Sequence, residues 1–218
     1  MANMNNENSC LACNSVKTKV IPYIDKPFYG NDTIDFSKLQ ICYCEECGFG
    51  FSFPEIESDL LDKFYSDQYR DKDSVHFIDF SRLSKPKVSQ CTLGIEHLLL
   101  ARQYTQVQSG DNFLDIGPGP GWHFVAALSL LENPNLYALE NDKSAAEACK
   151  RLYGIKIYND FESLYEEMHE NQMKCIISSH SLEHFRLGDL KILLNQLRNI
   201  LLDDGVFVVE VPHADMRI

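Results

Sequence analysis

The stretch Leu114-Asp115-Ile116-Gly117-Pro118-Gly119-Pro120-Gly121-Trp122 constrains this chain more tightly than any other. An apolar strand runs into three glycines at alternate positions and then into a helix. In such a turn the first glycine takes a backbone conformation closed to other residues, the second lets a ligand touch the main chain, and the third seats the helix against the sheet. Pro120 suits a first helical turn, where a missing N–H costs nothing. The unpaired N–H groups of that turn attract a negative group. Around this segment the pattern alternates. Strands are predicted at 113–117, 136–140, 155–158, 174–179 and 206–211. Helices are predicted at 120–131, at 143–152 with Asp142 as N-cap, at 161–170, and from 190 to a stop at Asp203-Asp204-Gly205. Ahead of them Val88, Cys91, Ile95, Leu98 and Leu99 recur at helical spacing up to about Tyr104. Strand–helix alternation implies parallel pairing, hence an α/β fold with a Rossmann-like, doubly wound, mostly parallel sheet.

A dinucleotide-binding turn would carry glycine at position 122, and Trp122 stands there, which speaks against a pyrophosphate pressed on the backbone. Glu140 closes the next strand, where a carboxylate can accept both hydroxyls of a ribose. Strand, turn, helix, strand and terminal acid are in register, and that context turns a weak glycine motif into a specific one.

These residues resemble the class I S-adenosylmethionine-dependent methyltransferases. LDIGPGPGWH is similar to their first motif, LYALEND to their second and IISSHSLEHF to their fourth-strand motif, while LKILLNQLRNILLDDGVFVVEVPH is similar to the helix and strand that follow. The resemblance covers about residues 88 to 212. It implies that Asp115, Gly117, Pro118 and Gly119 surround the methionine part of S-adenosyl-L-methionine and that Glu140, with Asn141 beside it, holds the ribose. It further implies that Asn159, Asp160 and Phe161 lie by the adenine and that Ser179 sits near the sulfonium. Where the family often has Asp just before the fourth strand, this chain has Lys174. A sulfonium methyl is already activated, so the protein's task is to align the acceptor and often to remove its proton. His180 and His184 follow the fourth strand on the ligand-binding edge, where either could act as base; His184 is the stronger catalytic candidate. His123 and His213 rank lower, and His76, His97 and His169 read as surface or helix positions.

Five of eight cysteines fall within the first 47 residues. Cys10-x-x-Cys13 and Cys44-x-x-Cys47 can each offer two thiolates to one ion, and four close a tetrahedron with no place for water, so the expected role is structural zinc. Iron could occupy the same sulfurs. Gly48 after the second pair permits a tight turn whose N–H groups face sulfur. Cys42 breaks the two-residue spacing and is left out, while Cys91, Cys149 and Cys175 read as core. The segment CYCEECGFGFSFPEIESDLLDKFYSDQY is similar to the N-terminal zinc-binding part of a methyltransferase subgroup that includes sugar C-methyltransferases acting on nucleotide-linked keto sugars. That resemblance implies a sugar-facing His184. It also implies a tyrosine shortly after FYSDQY, where this chain has Asp71, with Tyr69 nearby but offset.

The expected organisation is a zinc-binding lobe over 1–70, a linker or lid over 71–86, and an S-adenosylmethionine-binding domain over 87–218. The chain stops soon after the fifth strand, where the family fold ordinarily adds a helix and further strands, so the last domain is expected to be incomplete and cofactor binding to be better supported than turnover. The expected acceptor is a small molecule such as a nucleotide-linked sugar. Two alternatives are methylation of oxygen or nitrogen on another small molecule, and a non-catalytic module that binds cofactor or partner. Thirty-two acidic against 20 basic residues leave a net charge of −12, which excludes a broad nucleic-acid surface. No apolar run reaches membrane-span length, and the reduced thiols fit a cytoplasmic chain. An exposed sheet edge leaves room for homo-oligomers.

Overall fold

A computed structural model describes residues 9–21, 40–67, 78–168 and 172–212. Tyr69, Asp71, His76, His169 and His213 lie outside them, as does the start of the expected linker. The chain divides into two compact units, Met1–Phe77 with Arg186–Gly188, and Ile78–Phe185 with Asp189–Ile218.

The first unit holds an antiparallel sheet of β1 (Thr18–Ile21), β2 (Gln40–Cys44) and β3 (Gly50–Phe53), in that order, followed by helix α1 (Ser58–Asp67). Cys42 faces Val20 and Phe51 across the two ladders and is fully buried. Phe64 is the buried aromatic of α1, while Phe49 and Phe51 stack half-buried with ring centres 5.9 Å apart.

The second unit contains α2 (Thr92–Tyr104), β4 (Asn112–Ile116), α3 (Trp122–Leu130), β5 (Asn135–Leu139), α4 (Lys143–Tyr153), β6 (Lys156–Tyr158), α5 (Phe161–Met168), β7 (Met173–Ser179), α6 (Leu187–Ile200) and β8 (Leu201–Glu210). The five strands are parallel in the order β6-β5-β4-β7-β8, the doubly wound sheet expected from the alternation. The strand order reverses between β4 and β7, and ligands bind at such a crevice beyond the strands' carboxyl ends.

Both faces of the sheet are covered. On one, Phe113, Ala138, Cys175, Ile177 and Val208 pack with Leu98 of α2, Phe124 of α3 and Cys149 of α4. On the other, Leu114, Ile116, Leu139 and Ile176 pack with Leu164 of α5 and Leu193 and Leu197 of α6. Cys91, Cys149 and Cys175 are all buried, as expected of thiols used as small hydrophobes. Asp142 caps α4, accepting from the N–H groups of Ser144 and Ala145, and Gly154 ends that helix at φ +66°. Phe80, from the 71–86 stretch, is buried against Ala145 and Ala148 of α4, and Arg151 donates to the carbonyls of Phe80 and Leu83 at 3.0 and 3.1 Å.

The structure departs from the sequence reading at the end of α6, which stops at Ile200 instead of running to Asp203. Leu201 already pairs with Met173, and the ladder resumes only at Val206 opposite Cys175, so 202–205 bulge out of β8. Lys174, buried at the same level, donates to Asp204 at 2.6 Å across the bulge. A Cβ on Gly205 would lie 2.9 Å from the Met173 carbonyl, so only glycine fits there. Among the described residues no helix is long and apolar enough to cross a membrane.

Candidate functional site

At the switch point, Gly117, Gly119 and Gly121 all adopt positive φ, +70°, +50° and +79°. Two of them are also held by space. A Cβ on Gly117 would meet the Ser181 hydroxyl at 2.5 Å, which brings the loop after β7 against the turn after β4. A Cβ on Gly121 would meet the Tyr153 ring at 2.4 Å, so the start of α3 sits directly on the end of α4. The Tyr153 hydroxyl donates to the Pro120 carbonyl at 2.9 Å and ties the same two helices.

Glu140 is buried and turned toward that turn. Its Oε2 accepts from the Gly119 N–H at 3.4 Å and its Oε1 from the Asp142 N–H at 3.0 Å. Pro118 is buried and Asn141 exposed beside it. Past β6, Asn159 and Asp160 are exposed, while Phe161 is buried. Asp160 accepts from both the N–H and the hydroxyl of Ser163, capping α5, and the Ser163 hydroxyl, then its N–H, hold the Asp160 carboxyl below its ordinary pKa. At the end of β7 the Ser179 hydroxyl donates to Glu210 Oε2 at 2.5 Å. His180 follows at φ +51°, a conformation rare for a residue with a side chain. Its Nδ1 and Nε2 lie 3.7 Å from Glu183 and 3.6 Å from Glu210. His184 is exposed in the next turn, its Nε2 4.0 Å from Glu183.

Sequence reasoning missed a chain of polar groups behind this surface, buried at Asp115, His123 and His97 and reaching a half-buried Glu210. Strand alternation turns Asp115 to the α2–α3 face, where its carboxylate is fully buried. His123 Nδ1 lies 2.9 Å from Asp115 Oδ2, His123 Nε2 lies 3.0 Å from His97 Nδ1, and His97 Nε2 lies 3.4 Å from Glu210 Oε2. Asp115 Oδ1 is buried with no hydrogen-bond partner among the described residues. His97, expected at a surface or helix position, is on a helix but buried, because α2 packs closely on α3: a Cβ on Gly94 would lie 2.9 Å from the Trp122 carbonyl. The usable signal was the run Gly94, His97, Leu98, Ala101, a small-residue buried face that includes the histidine.

In the first unit, the four predicted cysteines converge: their sulfurs all lie within 4.8 Å of one another, with Cys10–Cys47 at 3.6 Å and Cys13–Cys44 at 3.7 Å. A tetrahedral ion with bonds of about 2.3 Å to sulfur has S···S edges of about 3.8 Å, so the spacing fits such an ion. The two halves are built alike. Asn14 N donates to the Cys10 carbonyl at 2.8 Å and Gly48 N to the Cys44 carbonyl at 3.0 Å, and both donors take positive φ, +61° and +75°. Burial opposes a thiolate at Cys10, yet the N–H groups of Cys13 and Ala12 outweigh it and bring the pKa to about 7. At Cys13 the Ser15 N–H favours the thiolate, but Cys47, burial and the other two cysteines hold the thiol up at about 12. Cys42 is outside the cluster.

Residues 90–218 match a family model described as a methyltransferase domain. No curated protein matches the chain. Among solved structures, similar chains include an S-adenosylmethionine-dependent methyltransferase from Archaeoglobus fulgidus, 18% identical, covering 57% of this chain and 54% of that one with a TM-score of 0.46. A cyclopropane synthase of Mycobacterium tuberculosis is 20% identical over 60% of this chain and 46% of its own, TM-score 0.44. Phosphoethanolamine N-methyltransferase 1 of Haemonchus contortus, in complex with phosphoethanolamine and S-adenosylhomocysteine, is 15% identical over 71% of this chain and 33% of its own, TM-score 0.49. The chain thus spans little more than half the length of the first of these and less of the others.

Proposed function

Because this chain belongs to the methyltransferase domain family, we propose that it binds S-adenosyl-L-methionine at the β4–β7 switch point and transfers its methyl group to a small-molecule acceptor, with a nucleotide-linked sugar as the favoured class. The observation that carries the reading is the Glu140 carboxylate joined to the Gly119 N–H. It puts a buried acid one strand from the glycine turn, where a carboxylate can accept the hydroxyls of a ribose. When bound, the cofactor supplies a methyl already activated on a sulfonium. Glu140 and Asn141 hold the ribose. Asp115, with its spare Oδ1, and the backbone of Gly117, Pro118 and Gly119 hold the amino-acid tail. Asn159, Asp160 and Phe161 border the adenine, and Ser179 stands by the sulfonium. His184, exposed past β7, meets the acceptor and can orient it or take its proton.

In the proposed protein Cys10, Cys13, Cys44 and Cys47 hold a structural zinc, with iron as the other ion four thiolates accept. The proposed organisation is a zinc-binding lobe over 1–70, a linker or lid over 71–86 and a cofactor-binding domain over 87–218, and a cytoplasmic setting keeps the thiols reduced. Trp122 opens α3 beside the glycine turn and is half-exposed, so its fluorescence reports on the site. Saturable quenching by S-adenosylhomocysteine and none by NAD is the expected outcome; no response together with no heat of binding by calorimetry refutes the proposal.

A further inference from the structure

The polar chain behind the site has a property that follows from counting hydrogens. Asp115, His123, His97 and Glu210 meet at three junctions: two hydrogen bonds, of 2.9 and 3.0 Å, and a 3.4 Å ion-pair contact between His97 Nε2 and Glu210 Oε2. Each junction is attractive only when it contains one hydrogen. Asp115 and Glu210 are acceptors when ionised, so the three hydrogens must sit on four ring nitrogens. Two neutral imidazoles bring two hydrogens and two imidazolium rings bring four. Only a singly protonated pair fills every junction.

We propose that His97 and His123 share one proton and act as a positioning pair that holds Asp115, below the glycine turn, and Glu210, beside Ser179, in their binding geometry. This rests on the reading that the cofactor's methionine half lies against Gly117, Gly119 and Ser179. Loss of the proton leaves the bare Nε2 lone pair of His97 facing the Glu210 carboxylate; Glu210 then withdraws, and with it the acceptor of the Ser179 hydroxyl bond. A second proton sets two N–H groups against each other across the 3.0 Å junction and opens the chain from the other side. The groups facing the pair are Asp115 on β4, Glu210 on β8 and Glu96 on α2, with His180 beyond Glu210. Their effects run in the required directions. Burial works against charge on His123, but the Asp115 carboxylate outweighs it and holds the ring above the usual 6.5. Burial and then the charge on His123 pull His97 below 6.5, only partly offset by Glu210, Asp115 and Glu96. Between the two titrations the pair carries one proton.

The test is nitrogen NMR of the imidazole rings from pH 5 to 9, together with S-adenosylhomocysteine affinity over the same range in the whole chain. Between the two ring titrations one ring should be doubly protonated and its neighbour a neutral Nε2–H tautomer. The backbone amides of Gly117 and Ser179 should follow both titrations, and affinity should trace a bell, falling roughly tenfold on each side, a typical coupling between sites. His97→Phe should remove the bell, and Glu210→Gln, at the open end of the chain, should bring the His123 titration back toward 6.5 and flatten the profile. Glu210→Gln keeps the test available should His97→Phe fail to fold cooperatively. Two rings that lose their protons together with no singly protonated interval, or Gly117 and Ser179 amides that ignore the ring titrations, would overturn the proposal. Absence of S-adenosylhomocysteine binding at every pH would instead refute the cofactor reading, and the amide shifts would still decide the positioning role.

Discussion

Replacing Glu140 by alanine separates the two jobs assigned to its carboxylate. Its folded-state partners include the N–H groups of Gly119 at 3.4 Å and Asp142 at 3.0 Å. The first is long and contributes little; the second is a normal charge-assisted bond. Their loss should cost about 1–2 kcal/mol of stability, most of it from Asp142. In the proposed complex the carboxylate accepts ribose hydroxyls, and a hydrogen bond to a charged group contributes about 1.5–3 kcal/mol, equivalent to a loss of roughly 10- to 150-fold in affinity. Glu140→Gln keeps the shape and one acceptor oxygen, so it should fall between wild type and alanine. Calorimetric titration with S-adenosylhomocysteine, paired with thermal unfolding of each variant, reads the two effects separately. An alanine variant that unfolds at a lower temperature yet binds within about twofold of wild type would sink the ribose assignment and leave Glu140 as a structural tie between β5 and the glycine turn.

Three further outcomes can be checked. Metal analysis should find one zinc or iron per chain; Cys44→Ser should lose the ion and unfold the first unit, whereas Cys42→Ala, outside the cluster, should keep it, and a metal-free folded wild type would end this reading. Gly121→Ala places a methyl 2.4 Å from the Tyr153 ring at φ +79°, so it should destabilise by about 1–3 kcal/mol, with partial recovery in the double variant with Tyr153→Leu, and a neutral effect in denaturant unfolding would contradict the packing. The Lys174 ammonium, through its hydrogen bond, holds the Asp204 carboxyl below its usual 3.8. A depressed acid contributes stability above its unfolded pKa and loses it as pH falls through the folded one. Asp204→Asn should therefore lower the melting temperature at pH 7, with the gap closing below pH 4, and a gap independent of pH would show that the pair does nothing for β8.

What could be read from sequence was what local chemistry dictates. Alternating apolar strands and helices, the three glycines and the Asp142 cap depend on neighbours a few residues away, and each is in the structure. Two C-x-x-C pairs are legible for the same reason: spacing alone brings two sulfurs to one point. The matching left-handed Asn14 was not read, because asparagine tolerates that conformation without demanding it, whereas glycine at 48 advertises it. The end of α6 was misread because Leu201 looks like a continuation of the leucine stripe. The competing demand, pairing Leu201 with Met173 and looping 202–205 out so that Val206 meets Cys175, comes from a strand 28 residues earlier.

The polar chain was hidden for a deeper reason, and yet a clue was present. Phe113, Leu114 and Ile116 flank Asp115 in a strand with helices on both faces, so all four side chains are enclosed. A carboxylate there has no water, and an unpaired buried charge is too costly to persist. The fold must therefore supply Asp115 with a donor from a helix packed on its face. Helices α2, α3 and α4 pack on that face near the turn, and of these α2 and α3 each carry one histidine, His97 and His123. The pairing could thus have been deduced from one misplaced acid once the sheet was known to be parallel and covered. What no such deduction reaches is the link from His97 on to Glu210. That contact depends on where α2 crosses the end of β8, a distance set by the missing Cβ of Gly94 and by the whole sheet beneath it.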